Sequence, residues 1–182
     1  MLQQTLEHLR ALVAHDTRNP PRAIDTGGIF AYARAQLAGF DISVTDHGAG
    51  AVSLHAVRGQ PRLLFNVHLD TVPSNPGWSR HPHELLVTDE RAIGLGACDI
   101  KGAAAALLAV AWVTDAPMAL LFTSDEEAND PRCVKAFLDA FPPLPSGEGR
   151  GEGAGLAHGL EPPTPLPAGE GSYAAVIVAE PT

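Results

Sequence analysis

Three apolar runs in this chain stop just before residues that can bind a metal ion. The run at 63–65 is followed by His68 and Asp70, the run at 119–122 by Glu126 and Glu127, and the run at 175–178 by Glu180. In open α/β sheets, ligands bind outside the carboxyl ends of the strands. Histidine and carboxylates are common ligands of divalent metals, so strands that end in them predict one shared metal site.

The spacing of apolar residues predicts alternating helices and strands. Two amphipathic helices open the chain, because apolar residues recur every three or four positions in 2–13 and in 29–37. Strands are predicted at 52–57, 63–70, 118–122 and 174–179, and helices at 100–114 and 131–141. This order predicts an α/β fold, with helices on both faces of a mainly parallel sheet. In the second strand, Asn66, His68 and Asp70 alternate and therefore share one face.

One segment does not have the composition of a packed domain. Between 142 and 172, 15 of the 31 residues are Pro or Gly, and the sequence at 143–149 nearly recurs at 165–171. Such a segment cannot bury enough apolar surface to offset the entropy of ordering it, so it is predicted to be a disordered insertion. The alternative is a Pro-rich docking motif, although its Glu and Gly content disfavours a continuous polyproline helix. The expected organisation is an α/β part at 1–141, the insertion at 142–172 and a further strand of the same sheet at 173–182.

Composition excludes several classes of partner. The net charge of −9 argues against binding to nucleic acid or to an anionic membrane surface. Two cysteines cannot form a disulfide framework, and the amino terminus lacks the basic-then-apolar order of a secretory signal. The longest apolar stretch, 103–113, is too short to span a bilayer. A cytoplasmic location is therefore expected.

His68, Asp70 and Asp99 are the first candidate site residues. A neutral imidazole binds metal well when its other ring nitrogen is held, and a carboxylate two residues along the strand can accept that N–H. In isolation, however, His-x-Asp is better interpreted as a polar strand end that faces solvent. Asp99 precedes the alanine-rich helix, where it could simply be an N-cap worth about 1 kcal/mol. The same position would let its carboxylate bridge two cations.

Glu126 and Glu127 form the second candidate pair. Ser124 and Glu127 could be a capping box at a helix start, but Pro131 favours a helix that begins there instead. The two glutamates then lie on a loop between a strand and a helix. Adjacent carboxylates repel unless a cation lies between them or one keeps its proton, and a metal with a general base beside it satisfies both conditions. Glu180 adds a carboxylate at the end of a third strand.

Four motifs together resemble one enzyme family. These are His-Leu-Asp-Thr-Val at 68–72, Gly-Leu-Gly-Ala-Cys-Asp-Ile-Lys-Gly at 94–102, Thr-Ser-Asp-Glu-Glu at 123–127 and Glu-Pro-Thr at 180–182. In this order and spacing they resemble the dinuclear-zinc aminoacylase and carboxypeptidase family. Asp-Thr-Arg-Asn-Pro-Pro at 16–21 is similar to the family's amino-terminal segment. The Cys-Asp-Ile-Lys-Gly form and the sequence at 126–133 most resemble its acetylornithine and acetylcitrulline deacetylase branch.

The resemblance implies a role for each motif residue. His68 and Glu180 would bind one metal, Glu127 would bind the other, and Asp99 would bridge the two. Asp70 would orient His68, and Glu126 would be the general base. Zn²⁺ is the expected metal in both positions; Co²⁺ also suits mixed His and carboxylate ligands, and Mn²⁺ stays open.

The implied reaction is hydrolysis of an N-acyl amino acid by a metal-activated water with Glu126 as base. N-acetylornithine and N-acetylcitrulline are the expected substrates, within arginine biosynthesis, and N-succinyl-diaminopimelate or a dipeptide is the alternative. The resemblance also implies a zinc-aminopeptidase-like catalytic domain and, for a full-length protein, a homodimer.

The carboxyl terminus departs from the family pattern. Family members continue past Glu-Pro-Thr with a lid or dimerisation domain and a second part of the catalytic domain, which supplies another histidine ligand. His81 and His83 are interpreted as loop histidines rather than substitutes for it. Two hypotheses remain: the amino-terminal part of a deacetylase, inactive by itself, or a non-catalytic metal-binding remnant.

Overall fold

The computed structural model describes residues 1–141 and 173–179. The strands in these ranges are β1 Asp41–Asp46, β2 Val52–Arg58, β3 Leu63–His68, β4 Leu86–Val87, β5 Ala92–Ile93, β6 Met118–Thr123 and β7 Ala175–Val178. The helices are α1 Leu2–Ala14, α2 Gly28–Ala35, α3 Gly102–Val113 and α4 Arg132–Ala140, and a π-helical turn, Ala97–Lys101, precedes α3. The predicted insertion at 142–172 and the last three residues, with Glu180, lie outside the described ranges and stay predictions.

The main sheet has the strand order β1-β2-β6-β3-β7. β3 pairs in parallel with both β6 and β7, whereas β2 runs antiparallel to its neighbours β1 and β6. β2 is therefore the one described strand of this sheet that points the other way, and the prediction of a mainly parallel sheet is confirmed. β4 and β5 form a separate two-stranded sheet.

Helices cover both faces of the sheet, as the sequence predicted. Along β6, Leu120 and Phe122 join the larger core with residues of α1, α2 and α3. The alternate residues Ala119 and Leu121 point to the opposite face, where Phe137 of α4 packs. Because successive side chains of a strand point to opposite faces, a strand covered on both sides must be apolar throughout. All six residues of β6 are buried.

Strand β1 is absent from the sequence prediction. It offers only Ile42 and Val44 as apolar residues, and both are half-buried. A two-residue alternation this short is a weak signal, because an edge strand is held mainly by its backbone pairing. Here that partner is β2, whose Val52 to Val57 are opposite Asp46 to Asp41.

Two predicted helix starts have different outcomes. α4 begins at Arg132, directly after Pro131, as predicted. Ser124 is not a helix cap, because its hydroxyl accepts a hydrogen bond from the Val52 N–H (2.9 Å) and donates one to the Gly50 carbonyl (2.8 Å). The alanine-rich helix begins at Gly102 rather than at residue 100.

Within the residues described, no helix is both long and apolar enough to cross a membrane.

Deletion of most of 143–171 is expected to change the free energy of unfolding by no more than about 1 kcal/mol, because loop length adds closure entropy slowly. The residues on either side of this segment already meet at His55. The His55 ring centroid lies 5.1 Å from that of Phe141 and 6.1 Å from that of Tyr173. Thermal unfolding of a variant with a short turn between these residues tests the expectation. A collapse of the melting temperature would show that the segment packs against the core.

Candidate metal centre

His68 lies at the carboxyl end of β3, an interior strand of the sheet between β6 and β7. It is opposite Thr123, the last residue of the parallel strand β6, so the segments that follow both strands leave the same edge. The next residue, Leu69, donates its N–H to the Thr123 carbonyl at 2.7 Å and continues this pairing. The imidazole is 4% exposed, which leaves its ring nitrogens to protein partners or to a ligand.

Asp70 lies just beyond β3 and is completely buried. The Nδ1 atom of His68 is 3.1 Å from the main-chain oxygen of Asp70 and 3.4 Å from its Oδ1. Both oxygens favour a proton on Nδ1. Nε2 is then the unprotonated ring nitrogen, which is the form that binds a metal. Asp70 Oδ1 makes no hydrogen bond within the described residues, whereas Oδ2 accepts the N–H of Glu127 at 3.0 Å. Asp70 therefore contacts both the histidine and the glutamate turn.

Asp99 lies on the loop that leads into α3. Lys101, not Asp99, is the residue before α3, and no side chain caps the start of this helix or of the turn at 97–101, so the N-cap alternative for Asp99 does not apply. Asp99 Oδ1 is 3.3 Å from His68 Nε2. The loop passes close to the strand ends because Gly96, with φ +76°, has no side chain: a Cβ there would lie 2.5 Å from Cγ2 of Thr71.

Glu126 and Glu127 lie in a turn between β6 and α4. Ligand atoms of His68, Glu126 and Glu127 all fall within 4.8 Å of one another. Glu126 is exposed, and its Oε2 is 3.9 Å from His68 Nε2. Glu127 is half-buried; burial first, and then the charge of Glu126, raise the pKa of its carboxyl.

These residues fit a divalent cation. The buried His68 side chain presents Nε2 to carboxylate oxygens at 3.3 and 3.9 Å, and repulsion from Glu126 adds to the effect of burial in raising the pKa of Glu127. A cation among the oxygens would remove that repulsion. The donor set of one imidazole and several carboxylates is that of zinc and of neighbouring first-row metals. Glu180 lies outside the described residues, so its part in this site stays a prediction.

The two loop histidines do not join this group. His83 contacts the Val13 carbonyl through Nδ1 at 3.2 Å, and its Nε2 is 3.6 Å from Asp16. His81 is exposed and accepts the N–H of His83. Among the residues described, the metal-compatible group contains neither of them.

Two buried polar residues beside the site were not predicted from the sequence. Asn19 donates through Nδ2 to Asp70 Oδ2 at 3.0 Å. Lys101 is fully buried and donates through Nζ to the His15 carbonyl at 3.0 Å; its burial lowers the pKa to about 8. The only sequence signal for either was that each lies within a motif of the family resemblance, because nothing in the apolar pattern marks a buried lysine or asparagine.

The described part of the chain is therefore an α/β fold that brings a histidine and carboxylates together at the carboxyl edge of its sheet. Residues 64–181 match the family described as Peptidase family M20/M25/M40. The chain belongs to this family, and the resemblance noted in its motifs is thereby confirmed.

Curated relatives have several related activities. The chain is 66% identical over 139 residues to N-acetyl-L-citrulline deacetylase of Xanthomonas campestris pv. campestris, which covers 76% of this chain and 38% of the relative. It is 40% identical over 99 residues to acetylornithine deacetylase of Vibrio vulnificus (50% and 26%). It is 37% identical over 125 residues to succinyl-diaminopimelate desuccinylase of Gluconacetobacter diazotrophicus (60% and 32%). The chain thus spans between a quarter and two fifths of the length of these relatives.

Solved structures show the same fold. Human carnosine dipeptidase 1 matches with a TM-score of 0.63 at 18% identity, over 75% of this chain and 35% of that one. The M20 family metallo-carboxypeptidase Sso-CP2 of Sulfolobus solfataricus matches with a TM-score of 0.60 at 20% identity, over 75% and 34%.

Proposed function

We propose that this chain supplies the metal-binding part of an amidohydrolase that removes the acetyl group from N-acetyl-L-citrulline or N-acetylornithine. The observation that carries the proposal is the contact of His68 Nε2 with carboxylates from two different loops at the carboxyl edge of the sheet. The acetyl substrate follows from the 66% identity to an N-acetyl-L-citrulline deacetylase. N-succinyl-diaminopimelate is the second candidate substrate, since desuccinylases are among the relatives.

Each site residue is assigned one role. His68 and Glu180 would hold one divalent cation, Glu127 would hold a second, and Asp99 would lie between the two. Zn²⁺ is the expected metal, with Co²⁺ as the alternative. The exposure of the side chains supports this division: the half-buried Glu127 suits a fixed ligand, and the exposed Glu126 suits a group that must reach a substrate.

The chemistry needs an activated water and a base. When bound, divalent cations of this kind lower the pKa of water and polarise the acyl carbonyl. Glu126 would accept the proton of the attacking water and deliver it to the leaving amine nitrogen, so that a carboxylate and a free amino acid result. Asp70 would keep the Nδ1 proton of His68 in place, which directs Nε2 toward the carboxylates. A cytoplasmic location and a homodimer stay predictions.

Two measurements test the proposal. Zinc is titrated into the 182-residue chain by calorimetry, and His68→Ala is expected to weaken binding strongly because it removes the single imidazole of the described group. The protein that carries this chain is then assayed, with zinc, on N-acetyl-L-citrulline, N-acetyl-L-ornithine, N-succinyl-diaminopimelate and a dipeptide. Faster hydrolysis of the acetyl substrates is expected. Zinc binding without turnover of any of them would instead support the non-catalytic remnant, and absence of zinc binding would refute both.

A further inference from the structure

The segment 16–22 contacts two carboxylates that hold the turn carrying Glu126 and Glu127. One is Asp70, which accepts the N–H of Glu127 in the middle of the turn, and the other is Asp130, where the turn leads into α4. Nothing in the catalytic assignment above uses this segment, although it contributes two buried or half-buried side chains to the edge of the site.

Asn19 makes the first of these contacts. It is 4% exposed, and its N–H donates to the Thr71 carbonyl at 2.8 Å, which fixes the backbone beside β3. Its Nδ2 and the N–H of Glu127 both donate to Asp70 Oδ2, each at 3.0 Å. Asn19 therefore fixes the position of the same carboxylate oxygen that accepts the N–H of Glu127. A buried hydrogen bond to an ionised carboxylate is among the stronger ones in proteins.

Arg22 makes the second contact. Its Nη1 donates to Asp130 Oδ2 at 3.0 Å, and Nε of Arg132 donates to the same oxygen at 2.8 Å. The hydrogen bond from Arg132, with that from Arg22, holds the pKa of Asp130 well below its usual range. The N–H of Asp130 in turn donates to the Asp125 carbonyl at 3.1 Å, which closes the turn around the two glutamates.

Arg22 is itself fixed by the backbone beneath it. Gly50 has φ +77°, and a Cβ there would lie 2.7 Å from Cγ of Arg22 and 2.8 Å from its carbonyl oxygen. The Arg22 side chain therefore packs closely against Gly50 and then reaches Asp130. Its Nε and Nη2 atoms have no hydrogen-bond partner in the described ranges, so the contact with Asp130 depends on a single nitrogen.

We propose that Asn19 and Arg22 are positioning residues that fix the Glu126–Glu127 turn at two points, the amide of Glu127 and the side chain of Asp130. Asn19 acts through Asp70, the residue that orients His68, and Arg22 acts through Asp130. The consequence for zinc binding rests on the proposed function, whereas the rigidity of the turn does not. Partners that orient metal ligands typically contribute about 10–100-fold to metal affinity, and that is the effect expected here.

The test compares four variants of the 182-residue chain. Asn19→Ala removes the donor to Asp70, and Arg22→Met removes the donor to Asp130 while keeping an unbranched side chain. Arg22→Lys keeps one donor and the positive charge. Arg18→Gln is the matched control: Arg18 lies in the same segment and pairs with Asp16, but its side chain contacts neither Asp70 nor Asp130.

Zinc affinity is measured by competition with a chromophoric chelator, and amide hydrogen exchange is measured in parallel. Asn19→Ala and Arg22→Met are expected to bind zinc at least about tenfold more weakly. Arg22→Lys should recover most of the loss, and Arg18→Gln should match the unmodified chain. Without metal, the Glu127 amide should exchange faster in Asn19→Ala and the Asp130 amide faster in Arg22→Met, with the amides of β6 unchanged.

The possible failures can be told apart. If the unmodified chain binds no zinc, the proposed function fails, and the exchange measurements still decide whether these residues fix the turn. If zinc binds and neither variant changes its affinity or the local exchange rates, the positioning role is wrong. Equal acceleration of exchange in β6 and in the turn would mean a general loss of stability, which would also overturn it.

Discussion

Glu126→Gln is expected to lower turnover by about 10²–10⁴-fold, the usual contribution of a positioned acid and base, while zinc content stays nearly unchanged. The exposed Glu126 carboxylate would lose its ability to accept the proton of water, but the amide keeps the shape of the side chain. Glu127→Gln should lower zinc affinity as well as turnover, because Glu127 is assigned as a ligand. Zinc content by elemental analysis and hydrolysis of N-acetyl-L-citrulline are measured on the protein that carries this chain.

Glu90→Gln is the control for both variants. Glu90 is an exposed residue of a turn, and its main-chain N–H contacts the Thr88 hydroxyl. It should change neither zinc content nor turnover. Loss of zinc in Glu126→Gln together with its retention in Glu127→Gln would reverse the two assignments. Both glutamates place an oxygen in the same group as His68, so the experiment distinguishes which of the two binds the metal.

The buried Lys101 is expected to make the metal-free chain more stable as the pH rises from about 8 to 10.5. Burial lowers the pKa of Lys101 from 10.5 to about 8 in the folded state. Over this range the unfolded chain binds the proton and the folded chain does not, so the free energy of unfolding increases with pH. The difference between the folded and unfolded pKa values of Lys101 corresponds to an increase of about 3 kcal/mol in the free energy of unfolding across this pH range.

Lys101→Met removes this pH dependence, and Lys135→Met is its control. Lys135 is exposed on α4 and pairs with Asp139 one turn away. Burial raises the pKa of Cys133 to about 12, which acts in the opposite direction above pH 9, so the Lys101 contribution is taken as the difference between variants. Urea unfolding at several pH values measures it. The same slope in the unmodified chain and in Lys101→Met would contradict the prediction.

Local sequence patterns predicted the sheet and the edge at which the site lies. β6 is a run of mostly apolar residues, the composition that burial on both faces requires, and β3 begins with an apolar run before its polar residues Asn66 and His68. Pro131 marked the start of α4 correctly, because proline suits the first turn of a helix and disfavours helical geometry before it. β1 was missed because its stability comes from pairing with β2, which no local pattern records.

The sequence by itself determined the α/β class, the parallel strands and the identity of His68, Asp70, Asp99, Glu126 and Glu127 as candidate site residues. These follow from residue type and from period, which are local properties of the chain. Only the tertiary structure decided that Asn19 contacts Asp70, that Arg22 reaches Asp130 and that Lys101 is buried against the His15 carbonyl. Those contacts join residues 51, 108 and 86 positions apart. They form only when packing brings distant segments together, because a polar side chain gives no sign in the sequence of which buried partner will satisfy it.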